Sequence, residues 1–236
     1  MGAVALELAP SLAERVTHLL GRVECRRVDA PEELEAIYSL RYKAYRREGS
    51  IPRNADRRFF DADDAAPNVW IFGIYLDREL ISSIRMHVSL PAYPDIPAAH
   101  VFGDILGPEI GAGKVIVDPT RFVADHVHAR QFLELPYVTT RLVVMAGEYF
   151  NADYLLATVR AEHQAFYRRV FGGNVVCEAR EYPGLGKPIS MMMSPREAVT
   201  AYIARRYPFF ASTPFERSAL FAGVKADAGL TAATAA

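Results

Sequence analysis

Residues 115–125 read Val-Ile-Val-Asp-Pro-Thr-Arg-Phe-Val-Ala-Asp, and the fold turns on how this stretch is interpreted. Val115, Ile116 and Val117 have the β-branched shape of a buried strand. Asp118 and Arg121 follow at once, and Pro119 removes a backbone donor that a central ladder uses. Side chains three apart on a regular strand point to opposite faces, so Asp118 and Arg121 share a face only if a bulge shifts the register. A bulge is also where a strand proline is tolerated. Two readings stay open here: a buried structural ion pair between Asp118 and Arg121, or one wall of a site.

Downstream, a helical period through Val138, Leu142, Met145 and Tyr149 predicts a helix over 136–150. The unbroken apolar run from Tyr154 to Val159 then predicts a strand parallel to the first. A second helix over 162–171 is closed by Gly172-Gly173, strands follow at 175–178 and 189–193, and Ser194-Pro195-Arg196-Glu197 has the form of a capping box before a last helix. Upstream, Val23 to Val28 is a strand, Asp29 with Glu32 resembles a capping box, and a helix runs to about Arg47. Val69 to Leu76 and Leu80 to Val88 form a hairpin, whereas 91–113 has the Pro, Gly and Asp density of a loop. The order β-α-β-β-β-α-β-α-β-β-α predicts an α/β architecture of the mixed α+β kind: a partly parallel sheet of about seven strands with helices on both faces.

The 236 residues, 51% of them hydrophobic, suffice for one core. The expected organisation is an accessory helix within 1–22, one domain over 23–215, and a disordered Ala-rich tail over 222–236. A net charge of −1 argues against nucleic acid as the partner. Cys25 and Cys177 have no close-spaced partners and suit the reducing cytoplasm. No signal peptide or myristoylation pattern is present, and no apolar run reaches the roughly 20 residues of a membrane span, so a membrane enters only as a neighbour of a lipid product.

Further charges sit where apolar residues belong. Arg41 falls within the stripe of Leu34, Ile37, Tyr38 and Tyr45, and Arg85 lies inside an apolar strand. The loop from Gly49 to Ala66 carries Asp61 and Asp64 three residues apart; without convergent histidines they predict no metal site. Arg41, Arg85 and Arg121 against Asp61, Asp64 and Asp118 make a self-neutral set, and such a set can be buried.

The element order and four motifs resemble the GNAT superfamily of acyltransferases over roughly residues 25–195. The resemblance is closer to the branch of acyl-homoserine lactone synthases and long-chain N-acyl amino acid synthases. Arg41 with Tyr45 is similar to an Arg followed four residues later by Phe in the lactone synthases. Phe60, Asp61 and Asp64 resemble their Phe-Asp with a second Asp, and Arg85 their third-strand arginine. Asp118-Pro119-Thr120-Arg121-Phe122 resembles their Glu-x-Ser-Arg-Phe. The resemblance implies a V-shaped splay between the fourth and fifth strands, with Arg41, Tyr45, Asp61, Asp64, Arg85 and Phe122 in substrate binding. It also implies chemistry at Asp118, Arg121 and Tyr167, the last similar to the GNAT tyrosine that protonates the leaving thiolate. Asp118 as base or as a group that orients Arg121, and Tyr167 as acid or as core packing, remain alternatives; His163 is a weaker acid-base candidate.

Two departures refine the implied function. Ile51 stands where the lactone synthases carry a tryptophan, which argues against a lactone product. No glycine occurs from Lys114 through Ala146, so the glycine-rich loop that cradles the coenzyme A pyrophosphate in ordinary GNAT enzymes is missing. The expected reaction is transfer of a fatty acyl group to the α-amine of an amino acid from the phosphopantetheine thioester of an acyl carrier protein, with acyl-coenzyme A as the alternative donor and no permanently bound cofactor. A lactone synthase, a coenzyme A-dependent acetyltransferase or a non-catalytic acyl-carrier or lipid-binding module are the alternatives. Arg130, Arg141, Arg168 and Arg169 are the expected docking residues for the acidic carrier. The apolar tunnel for the chain is expected among Phe132, Leu133, Leu142, Met145, Met191 to Met193 and Phe209-Phe210.

Overall fold

The computed structural model describes residues 9–223. The elements are α1 (Leu12–Leu20), β1 (Val23–Arg27), α2 (Pro31–Arg47), β2 (Val69–Leu76), β3 (Glu79–Val88), α3 (Pro97–Gly111), β4 (Ile116–Ala124) and α4 (His126–Gln131). They continue as α5 (Leu135–Tyr149), β5 (Tyr154–Val159), α6 (Gln164–Phe171), β6 (Val175–Arg180), β7 (Ile189–Pro195), α7 (Arg196–Arg206) and α8 (Pro214–Phe221). The strands form one seven-stranded sheet in the order β1-β2-β3-β4-β5-β7-β6. Every neighbouring pair is antiparallel except β4 and β5.

The two faces of the sheet are separated by the period of two along its strands. On β2, Trp70, Phe72 and Ile74 pack with Val138, Leu142 and Met145 of α5, while Val69 and Ile71 pack with Ile37 and Tyr38 of α2. Helix α3 covers the α2 side further along, where Ala98, Phe102 and Leu106 meet Ile116. The quoted stretch is the central strand of the seven, and the parallel pairing with 154–159 is present.

Three local expectations are corrected. The stretch 91–113 is mostly helix: Ala98, Phe102 and Leu106 recur every four residues and bury one stripe. Pro97 lies in the first turn, where its missing N–H is harmless, and the helix absorbs its other breakers by a kink at Phe102. Asp29 does not cap α2, whose N-cap is Ala30 with no side-chain bond; Asp29 pairs instead with Arg27 at 2.8 Å. Ser194 does not cap α7 either, because it is held in β7 opposite Leu155. The closure of α6 is as expected, with Gly172 in the left-handed region at φ 69°.

Among the described residues no helix is long and apolar enough to cross a membrane. The Ala-rich tail expected to be disordered lies, from residue 224 onward, outside the described residues, as do residues 1–8.

Candidate active site

Strand β4 carries a bulge. Ser83 of β3 pairs with Val123 and Arg85 with Thr120, so the single residue Ile84 opposes both Arg121 and Phe122. Arg121 takes φ 53°, a left-handed conformation foreign to a regular strand and accommodated here by the extra residue of the bulge. The face assignments follow. Val117 belongs to the α5-side core and Ile116 to the α3-side core, which puts Asp118 and Thr120 on the α2/α3 face. The bulge keeps Arg121 on that face and returns Phe122 to the α5 side, with Val123 back against Leu40 and Ala44 of α2. Asp118 and Arg121 therefore share a face.

They are not each other's partners, which corrects the ion pair considered above. Arg121 donates from Nη2 to Asp61, and Arg85 donates from Nη1 to the other Asp61 oxygen. Arg85 also lies 3.2 Å from Asp64 and donates from Nε to Thr120 Oγ1 at 2.9 Å. Nη1 of Arg41 reaches both oxygens of Asp64 at 2.8 and 2.9 Å. The result is an alternating chain, Arg41, Asp64, Arg85, Asp61, Arg121, with Asp63 at its margin, 3.4 Å from Arg85. Arg41 and Arg85 have no exposed side-chain surface. Burial opposes ionisation of Asp61, but the adjoining Arg85 and Arg121 charges overcome it and hold its carboxyl far below the usual range. Phe59 stacks under Arg121 at 4.6 Å, so the 59–65 loop is pinned to the sheet by both charge and ring.

Asp118 stands apart. Its Oδ2 accepts the Ala98 N–H at 2.8 Å, which locks the first turn of α3 to β4, and its Oδ1 is buried without a hydrogen-bond partner among the described residues. Burial pushes its carboxyl up to about 6. Opposite it on β3 is His87, which burial and then Arg85 push down to about 3; the ring is neutral at physiological pH.

Strands β4 and β5 pair only through Ile116 with Tyr154 and Val117 with Leu155, although both run on for several residues. Beyond that vertex they diverge as a V, and a cavity of about 550 Å³ fills the gap. This lies within the range of about 300–1,000 Å³ typical of small-molecule pockets. The cavity passes through the sheet. On the α2 side it is lined by Tyr45, Arg121, Tyr182 and Lys187; on the α5 side by Thr140, Val143, Val144, Tyr167, Gly173 and Val199.

Of the expected site residues, Arg121, Tyr45, Phe122 and Tyr167 are brought to this cavity. Arg41, Asp61, Asp64 and Arg85 are gathered behind Arg121 as its support, and Asp118 is buried off the wall. The tunnel expectation is corrected: of the residues named for it only Met192 lines the cavity, while Leu142, Met145, Met191, Phe209 and Phe210 fill closed core and Leu133 is exposed. Burial pushes the Tyr167 hydroxyl up to about 12, so it stays protonated at neutral pH. His163 also lines the cavity, but its Nε2 faces the Arg160 guanidinium at 2.8 Å. A guanidinium only donates, so the lone pair a base would use is taken. Tyr182 was not anticipated: it is buried against the cavity and burial, then the Asp118 charge, raises its hydroxyl pKa. It sits in the turn-rich stretch 181–188, where no periodicity marks a residue as buried.

Of the four arginines expected to dock a carrier, Arg130, Arg168 and Arg169 are exposed. Arg141 is spent internally on the carbonyls of Phe209 and Ala211 and on Glu216, at 2.9, 2.6 and 3.0 Å, and is withdrawn from that surface.

The model of the N-acyl amino acid synthase FeeM family matches residues 36–195, which hold the charge chain, the bulge and the V. This chain belongs to that family. Among solved structures, FeeM itself, an N-acyl amino acid synthase from uncultured soil microbes, superposes with a TM-score of 0.63 at 18% identity, covering 76% of this chain and 94% of that one. The acyl-homoserine lactone synthase LasI gives 0.55 at 15% identity over 86% and 95% of the two chains. The coenzyme A-dependent lactone synthase BjaI, solved with S-adenosylmethionine and isopentyl-coenzyme A, gives 0.52 at 13% over 78% and 89%. At these identities the likeness is one of fold. No curated protein matches. The FeeM-family membership and the GNAT-like sheet make this chain an acyltransferase.

Proposed function

We propose that the protein moves a fatty acyl group from the phosphopantetheine thioester of an acyl carrier protein to the α-amine of an amino acid. The observation that carries this reading is the cavity through the β4–β5 gap, which offers a polar entrance on the α2 face and an apolar body between α5 and α6. An acyl chain fits the apolar body, and an acceptor with a carboxylate fits the entrance beside Arg121, whose Nε–H is buried without a partner among the described residues. Beyond Val117 the edge of β4 is free of β5, so a pantetheine arm can pair along it as an added strand.

The chemistry follows from these positions. The amine nitrogen bonds to the thioester carbon, the C–S bond breaks, and Tyr167 gives its proton to the departing thiolate. We assign the amine's surplus proton to Asp118, whose Oδ1 has no hydrogen-bond partner among the described residues and whose raised carboxyl is still ionised at neutral pH, and Tyr167 regains its proton from solvent. Arg121 holds the acceptor, and Arg41, Arg85, Asp61 and Asp64 hold Arg121.

A carrier-bound donor is favoured by the start of α5. Its N-cap Glu134 makes no cap bond and puts a carboxylate there, 2.5 Å from Arg15, and Pro136 lacks an N–H. An anionic pyrophosphate gains little from such a helix end. The buried Ile51 leaves no tryptophan of the lactone type at that position. We place the docking of the carrier at Arg130, Arg168 and Arg169 and the reaction in the cytoplasm, in keeping with the free thiols of Cys25 and Cys177.

Mass spectrometry of lipid extracts from expressing bacteria tests the product, and purified protein offered acyl carrier protein or acyl-coenzyme A tests the donor. N-acyl amino acids formed faster from the carrier are expected; lactones, or no acylated amine, overturn the proposal.

A further inference from the structure

The registers of the three strands around the cavity order its lining from one end to the other. Leu155 is at the vertex of the V, paired with Val117 on one side and Ser194 on the other; Ala157 faces Met192, and Val159 faces Ser190 at the open end. Arg160 and Lys187 lie just beyond, at the mouth, where Glu48 receives the Arg160 guanidinium at 2.9 Å. The vertex end is closed by buried residues: Met192 and Val199 are each 2% exposed and Gly173 is buried. All charged lining groups therefore belong to the mouth and the α2 side, and the vertex end is apolar apart from the Ser194 hydroxyl.

Gly173 lines that end beside Ser194 and Met192. A Cβ built on it comes to 3.1 Å from Ser194 Oγ and 3.4 Å from Met192 Cε, both lining atoms' residues. Unlike Gly172 it does not have a positive φ, so the backbone there accepts any L-residue and the glycine serves space, not conformation. A side chain at 173 would take the volume in which the last carbons of a chain lie.

We infer that Gly173, together with Met192 and Val199, sets the longest acyl chain the enzyme accepts, with the ω-methyl at the vertex and the thioester beside the β4 bulge. This rests on the acyl-transfer reading above. Each methylene that no longer finds room loses about 0.8 kcal/mol of burial, roughly a fourfold drop in affinity or kcat/KM.

The test uses two opposite changes, Gly173→Val to fill the end and Val199→Ala to open it, each checked for an unaltered thermal transition. Binding of saturated free fatty acids differing by two methylenes is read by displacement of a fluorescent fatty acid, and N-acyl products from the matching acyl carrier proteins by mass spectrometry. Gly173→Val should move both optima to shorter chains, with a drop of more than tenfold for the longest wild-type ligand, and Val199→Ala should move them to longer ones. A folded pair whose length profiles match the wild type overturns the inference while leaving acyl transfer standing. A wild type that binds fatty acids with the same length dependence but acylates no amine sinks the reaction instead. If Gly173→Val fails to fold, Val199→Ala alone decides, since an enlarged end without longer ligands is enough to reject it.

Discussion

The two faces of the sheet solve opposite problems with the same strand. On the α2 face β4 contributes Arg121 to a chain of five alternating charges, in which each arginine is paired with at least one carboxylate. On the α5 face the neighbouring residues of the strand border an apolar space that the protein leaves unfilled. The charged side packs around one guanidinium, and the apolar side borders a cavity in which, on the acyl-transfer proposal, a ligand supplies the packing. Dense charge in this fold is scaffold, and function lies where packing stops.

That contrast breaks most directly at Asp64. Asp64→Ala should leave the fully buried Arg41 guanidinium without its carboxylate and take one from Arg85, at a cost of about 3–5 kcal/mol in denaturant unfolding. A loss under about 1 kcal/mol would show that the network is not scaffold. On the other face, Tyr167→Phe should unfold like the wild type yet lower kcat about 10²-fold with KM held. An unchanged kcat would leave Tyr167 as packing against Phe166 and Phe171, the rings it touches.

A second pair on the α2/α3 face, Asp118 and His87, makes a sharper test with pH. The Asp118 carboxyl is raised to about 6, so the stability it contributes is present below its unfolded value of 3.8 and is lost as pH rises through about 6. The His87 ring is depressed to about 3, so its contribution is present above 6.5 and is lost as pH falls toward about 3. Between pH 4 and 6 the two slopes oppose and the wild type should be nearly flat. Asp118→Asn should then lose stability on acidification and His87→Gln gain it, each by up to about 1.4 kcal/mol per pH unit. Identical slopes in all three proteins would mean that neither group is held out of its ordinary range. Activity adds a separate readout: wild-type turnover should fall as pH drops through about 6, and the Asn variant should lack that limb. The smallest effect is expected at the surface, where Arg130→Glu with Arg168→Glu should weaken the carrier protein a few-fold at low salt and leave an acyl-coenzyme A donor unaffected.

Much of the charged side was legible because a buried arginine breaks a period. Arg41 in a helical stripe and Arg85 in an apolar strand stand out against their neighbours, and Pro119 announces an irregular strand. The partners were harder: which carboxylate meets Arg121 depends on the extra residue at the bulge and on where the loop from Gly49 to Ala66 lands, and no local pattern encodes either. Helix α3 was hidden by Pro97, Gly103, Gly107 and Pro108, each a breaker in isolation. The apolar side was the least legible. A methionine or phenylalanine that fills core and one that lines a cavity look alike in sequence, as Met191 and Met192 show, and the residue that shapes the end of the space is a glycine.

The left-handed backbone at Arg121 has a consequence for anyone redesigning this site. An alanine scan, the usual first step, would there remove the cation but keep the Cβ that Arg121 already holds at φ 53°, a conformation that favours residues such as glycine or asparagine. Glycine and asparagine are the neutral substitutions that keep the bulge at the least backbone cost, and comparing Arg121→Gly with Arg121→Ala separates what the side chain does from what the turn of the chain does.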